Sequence, residues 1–151
     1  MDASSLAKNL LPQPALSFGV GGIEFFPLAA IAAEQAGYES PDWSQSWLVL
    51  GRETSCGDPI FIDHSHTPLP VYTAMHGMGS WDPSLVASSW SQFLAALEFV
   101  RPYTTGREHP AGLERNPPSA ADWSTIQDGL ASILGSPVPD FWGVLLAPGE
   151  P

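Results

Sequence analysis

The chain has 151 residues, 44% of them hydrophobic and only 14% charged. That is the length of one domain with material for a core, and it is not the composition of a disordered chain. Sixteen acids against 5 bases give a net charge of −11, which excludes the Lys/Arg footprint needed on nucleic-acid phosphates or an anionic membrane surface.

The first segment, 1–9, reads as a short helical turn capped by Ser4 or Ser5, ended by Pro12 and Pro14. It lacks the sustained apolar run of a secretory signal. The uncharged stretch 9–23 is broken by two prolines and three glycines, so it does not read as a membrane span. Residues 18–26 suggest a turn into a strand. A helix is expected over 27–37, with Leu28, Ile31 and Ala32 on one face and Gly37 as its stop. After a polar turn at 38–44, the apolar runs 47–51 and 59–63 flank a polar turn and predict an antiparallel hairpin. Another turn, 64–68, leads to a strand over 69–75, where Pro70 marks an edge or a beginning. Beyond the glycine-rich turn 76–81, a helix is expected over 84–100. Asp82 is its cap, Pro83 its first residue, and Leu85, Val86, Trp90, Phe93, Leu94, Leu97 and Val100 its apolar stripe. Residues 101–118 read as an irregular loop, 122–134 as an amphipathic helix stopped by Gly135, and 140–147 as a last strand. Strands in the middle with flanking helices give an α+β class with an antiparallel meander sheet, in a single domain over 1–151.

Few residues carry recognisable chemistry. The single cysteine, Cys56, excludes an internal disulfide and a multi-cysteine metal site, and suits a reducing cytoplasm. Asp63, His64, His66 and His76 match no metal-ligand spacing, so no metal or cofactor is expected. A Cys56–His76 nucleophile pair, the basis for a small hydrolase, would have Arg52 but also Glu53 and Asp58 near the thiol, a field that does not help to form a thiolate. The Gly19–Gly22 run lacks the lysine and spacing of a phosphate loop, and no serine sits in a nucleophile elbow. Trp47, Trp90 and Trp123 lie on apolar faces. Trp43 and Trp81 lie in turns, where an exposed indole would be an interface anchor.

One stretch carries an ordered set of pieces. They are the strand at 47–51, Gly57-Asp58-Pro59-Ile60-Phe61, Pro70-Val71-Tyr72, His76-Gly77 with Trp81, and Ser91-Gln92-Phe93-Leu94. Phe25-Phe26-Pro27-Leu28 through Gly37-Tyr38 lies upstream. Over about 22–97 this order and spacing resembles the SUKH superfamily of immunity and regulatory proteins. Residues 11–19 are a compressed version of that family's N-terminal pattern; 102–118 and the 119–151 helix-and-strand extension have no counterpart in it. The resemblance implies a SUKH-like fold and a bacterial, non-enzymatic protein-binding module: an immunity protein that neutralises a polymorphic toxin. The alternative is a regulatory or scaffold adaptor with cellular partners.

A basic toxin domain would suit the charge, since complementarity speeds association. The turns supply the expected partner-binding residues: Glu39, Asp42 and Trp43; Glu53 and Asp58; Asp63, His64 and His66. From Gly22 to Leu97 the only base is Arg52, so the imbalance is concentrated in the segment that builds the fold.

Overall fold

The computed structural model describes residues 2–11, 22–54, 56–104 and 119–146. Helix α1 (Ala3–Leu10) precedes β1 (Ile23–Phe25). A short helix α2 (Ile31–Gln35) follows, flanked by the 3-10 turns Leu28–Ala30 and Ala36–Tyr38. The strands β2 (Trp47–Glu53), β3 (Pro59–Asp63), β4 (Val71–Thr73) and β5 (Ser84–Ala87) come next, then helices α3 (Trp90–Thr104), α4 (Ala120–Leu134) and α5 (Asp140–Leu146). The five strands form one antiparallel sheet in the order β1-β2-β3-β4-β5. This is the expected α+β class, a meander with flanking helices. Residues 105–118 of the loop expected over 101–118, the residues Pro12 and Pro14, and the end of the predicted last strand at 147 lie outside the described residues.

Several local expectations are corrected. Asp2, not Ser4 or Ser5, caps α1; its carboxylate accepts the Ser5 N–H at 2.9 Å. In α2 Ile31 is buried but Ala32 is exposed. The helix expected over 84–100 is two elements. Residues 84–87 pair with β4, and the helix begins only at Trp90. Asp82 therefore caps nothing, and Ser89 Oγ accepts the Gln92 N–H at 3.1 Å. A helical stripe and a strand face read alike over four residues, and the break at Ser88-Ser89 decides between them. At its other end α3 continues to Thr104, with Pro102 inside it, rather than ending at 100. A proline there removes one bond from the last turn, where the helix already frays. The predicted strand at 140–147 is the helix α5. Trp142 and Leu146, four residues apart, are its buried face. A short continuous apolar run cannot by itself distinguish the two states.

The hairpin is closed by the turn chemistry that its sequence contains. Gly57 has φ 81°, a conformation that a side chain disfavours. Its N–H bonds the Glu53 carbonyl at 2.9 Å, and the Glu53 N–H bonds the Asp58 carbonyl at 2.8 Å. Gly51 has a different reason: a Cβ there would run into the Glu24 carbonyl of β1. Gly135, at φ 90°, ends α4 as expected.

Register assigns the two faces of the sheet. Ile60 and Ile62, with their partners Leu48 and Val71, share the face on which Phe25 meets α3. The Phe25 ring lies 5.9 Å from Trp90 and 6.2 Å from Phe93. The opposite face carries Val49, Phe61, Tyr72 and Leu85 across four strands, with Trp47 two residues along β2.

Both faces depend on protected backbone edges. Beyond the end of β1, the Gln35 amide bonds both backbone groups of Val49, donating to its carbonyl and accepting from its N–H, each at 2.9 Å. A side chain thus continues the ladder where the strand stops. At the other edge Val86 is the extra residue of a bulge against β4. The indole N–H of the fully buried Trp142 donates to the Val86 carbonyl at 2.9 Å. Both are ways of covering a strand edge.

Candidate protein-binding surface

Among the described residues, the sheet face away from α3 is covered by aromatic rings rather than by a helix. Trp43 is their hub. Its ring stacks on Tyr38 at 5.1 Å, stands nearly perpendicular to Trp47 at 5.0 Å and to Trp81 at 5.2 Å, and lies 4.9 Å from Phe61. Phe61 continues the cluster to Trp47 and Tyr72. Only Phe61 is fully buried; the other five rings remain partly open to solvent.

Two connections hold these rings in place. Ser40 Oγ donates to Asp42 Oδ1 at 2.7 Å, and the Trp81 backbone N–H donates to Asp42 Oδ2 at 2.6 Å. Asp42 thereby ties the segment before β2 to the β4–β5 connection, 39 residues away. These two bonds hold its carboxyl below the ordinary carboxylate range. Burial raises the Tyr38 hydroxyl above its ordinary value, and the carboxylates of Glu34 and Asp58 add to this.

Large apolar side chains are exposed nearby. Met75 and Met78, in the β4–β5 connection, are 62% and 66% exposed, and Leu85, the cross-strand partner of Tyr72, is 42% exposed. Of the four large apolar side chains exposed among the described residues, these three belong to β5 and the connection before it, and the fourth is Val144 of α5, 85% exposed.

At the Trp47 end of this face lies a cleft of about 520 Å³. Asp2, Ala3 and Leu6 of α1 form one side, and Glu39, Ser40, Ser44 and Gln45 another. Trp43, Trp47 and Leu48 are its large apolar residues besides Leu6, and Gln35 and His64 also line it.

The eight residues expected to bind a partner divide into two groups. Glu39, Trp43 and His64 line the cleft, and Asp42 supports it from the adjoining turn. Asp63 and His66 stand at the same end of the hairpin, since Asp63 pairs with Trp47 in register. Asp63 is a buried turn anchor rather than a surface acid. Its Oδ1 accepts the Ser65 N–H at 2.9 Å and the Ser65 hydroxyl at 2.6 Å, and His66 Nδ1 lies 3.2 Å from its Oδ2. Burial pushes its carboxyl up, but the Ser65 and Ser46 bonds with the His66 charge outweigh this, leaving it below the ordinary range. Glu53 and Asp58 lie at the far end of the hairpin and do not join the cleft. Glu53 accepts the Cys56 N–H at 2.8 Å. Asp58 Oδ1 accepts the His76 N–H at 3.1 Å and meets His76 Nδ1 at 2.7 Å. Asp58 thus orients the His76 imidazole through Nδ1.

Reading the sequence alone missed the contribution of α1, the joining of Tyr38, Phe61 and Tyr72 to the tryptophans, and the exposed Met75, Met78 and Leu85. For Leu85 a signal was present in the Ser88-Ser89 break. For Asp2 and Leu6 there was none, because only chain folding brings α1 to β2.

Among the described residues, no group of three His, Cys, Asp or Glu side chains is placed to hold a metal ion, and no helix is long and apolar enough to cross a membrane. Comparison with protein-family models, with curated proteins and with solved structures returned no match to this chain.

Proposed function

We propose that this chain is a non-enzymatic protein-binding module that takes a basic protein partner on its aromatic sheet face, as a cytoplasmic immunity protein does in neutralising a toxin domain. The observation that carries the reading is the exposed apolar set Met75, Met78 and Leu85 beside half-buried Trp81 and Tyr72, in an acidic setting. Glu39, Asp42, Asp58 and Asp82 belong to the segments around this face. The only base between Gly22 and Leu97, Arg52, is paired with Glu24 at 3.0 Å. Aromatic and methionine side chains anchor interface cores, and the acids favour a cationic partner and repel an acidic one. The SUKH-like order of motifs supports the immunity role in particular.

The test is co-expression with a toxin-domain protein encoded beside its gene. A stable complex and relief of toxicity are expected. Met78→Asp combined with Leu85→Asp should weaken that complex by more than about tenfold, the loss typical of interface anchors. A complex indifferent to both substitutions overturns this surface. A gene neighbourhood without a toxin domain overturns the immunity role and leaves the adaptor.

A further inference from the structure

The aromatic face ends in the cleft, and the cleft has its own chemistry. Its volume of about 520 Å³ falls within the range of side-chain and small-ligand sites, roughly 300–1,000 Å³. Two indoles, Trp43 and Trp47, are among its lining residues and stand at 88° to each other. Two carboxylates, Asp2 and Glu39, are among its lining residues, and among the described residues no lysine or arginine lines it. Asp2 spends one hydrogen bond per oxygen on Ser5 and keeps further acceptor positions. Those bonds also hold its carboxyl below the ordinary range, so the charge is present at neutral pH.

An aromatic wall beside carboxylates is the complement of a guanidinium. Its plane stacks on an indole and its N–H fork meets a carboxylate. We infer that the cleft is a subsite for one arginine side chain of the protein partner. The inference rests on the proposed reading in taking that partner to be basic. Arginine is favoured over lysine because its planar guanidinium can lie against one indole while its N–H fork meets a carboxylate, which the point charge of an ammonium cannot do.

The probe is the capped tripeptide acetyl-Gly-Arg-Gly-amide, titrated into the full chain while the indole N–H signals are followed by NMR. Versions with lysine, citrulline and glutamate in place of arginine serve as controls. Saturable shifts of the Trp43 and Trp47 indoles are expected with arginine. Citrulline, which keeps the shape but loses the charge, should bind at least about tenfold more weakly. The double variant Asp2→Asn and Glu39→Gln should lose a similar factor. Asparagine at position 2 still caps α1, so the fold is retained. Equal responses to arginine, citrulline and glutamate overturn the subsite, as do shifts that leave Trp43 and Trp47 untouched. Failure here with a toxin complex that is sensitive to Met78→Asp removes only the cleft. A cleft that takes the arginine peptide while no basic protein binds removes only the proposed reading.

Discussion

Asp42, Asp58 and Asp63 look alike in the sequence, as acids in polar turns, yet each is committed to a different backbone task. Asp42 takes the Trp81 N–H, Asp58 the His76 N–H and Asp63 the Ser65 N–H. In Asp42 and Asp63 such bonds favour the charged form of the carboxylate. The folded Asp63 carboxyl is depressed below its unfolded value of about 3.9. Its contribution to stability is therefore present above about pH 4 and lost as pH falls through the folded value. Asp63→Asn should destabilise the protein by about 1–3 kcal/mol at neutral pH and flatten the fall in stability below about pH 4. Urea unfolding followed by tryptophan fluorescence across that range measures both effects. An unchanged acid slope would show that Asp63 titrates alike in both states. The residue types at these turns were legible in the sequence, but their partners were not. The Asp42–Trp81 bond spans 39 residues, and no local pattern encodes it.

At the scale of elements, the strands β2, β3 and β4 and the helix α4 were legible because their periodicity and turn chemistry agree. The two misread segments, 84–87 and 140–146, are short apolar runs whose state depends on neighbours. Residues 84–87 extend because β4 offers an open edge, and 140–146 coil because Trp142 must reach the Val86 carbonyl beside α3. The same economy operates at β2, where Gln35 stands in for a strand. Gln35→Ala would leave the N–H and carbonyl of Val49, a residue with no exposure, without partners. A loss of about 2 kcal/mol is expected, read as a lower urea midpoint with an unchanged slope. If the midpoint does not move, water replaces the amide and β2 needs no cover there. The local sequence marks Gln35 only as a polar helical residue.

For the molecule as a whole, the net charge of −11 has two opposed consequences. Self-repulsion among the acids weakens the compact state, while the same field draws a cationic partner. Raising NaCl from about 20 mM to about 200 mM shortens the screening length several-fold. The free protein should then melt at a higher temperature while the complex with a basic partner associates more slowly. Differential scanning fluorimetry and stopped-flow association measure the two. An association rate indifferent to salt would remove charge from the account of recognition. By itself the sequence determined the charge balance, the single-domain length, the α+β class and the tight turns, because composition and hydrogen bonding over a few residues decide these. Only the tertiary structure decided which face α3 packs on, that Tyr38, Trp43 and Trp81 meet over the other, and that α1 closes a cleft against Trp47. Those contacts join residues far apart in the chain, and the physical reason is register. The pairing of β2 through β5 puts Phe61, Tyr72 and Leu85 on one side together, and shifting any strand by one residue would turn its side chains to the other.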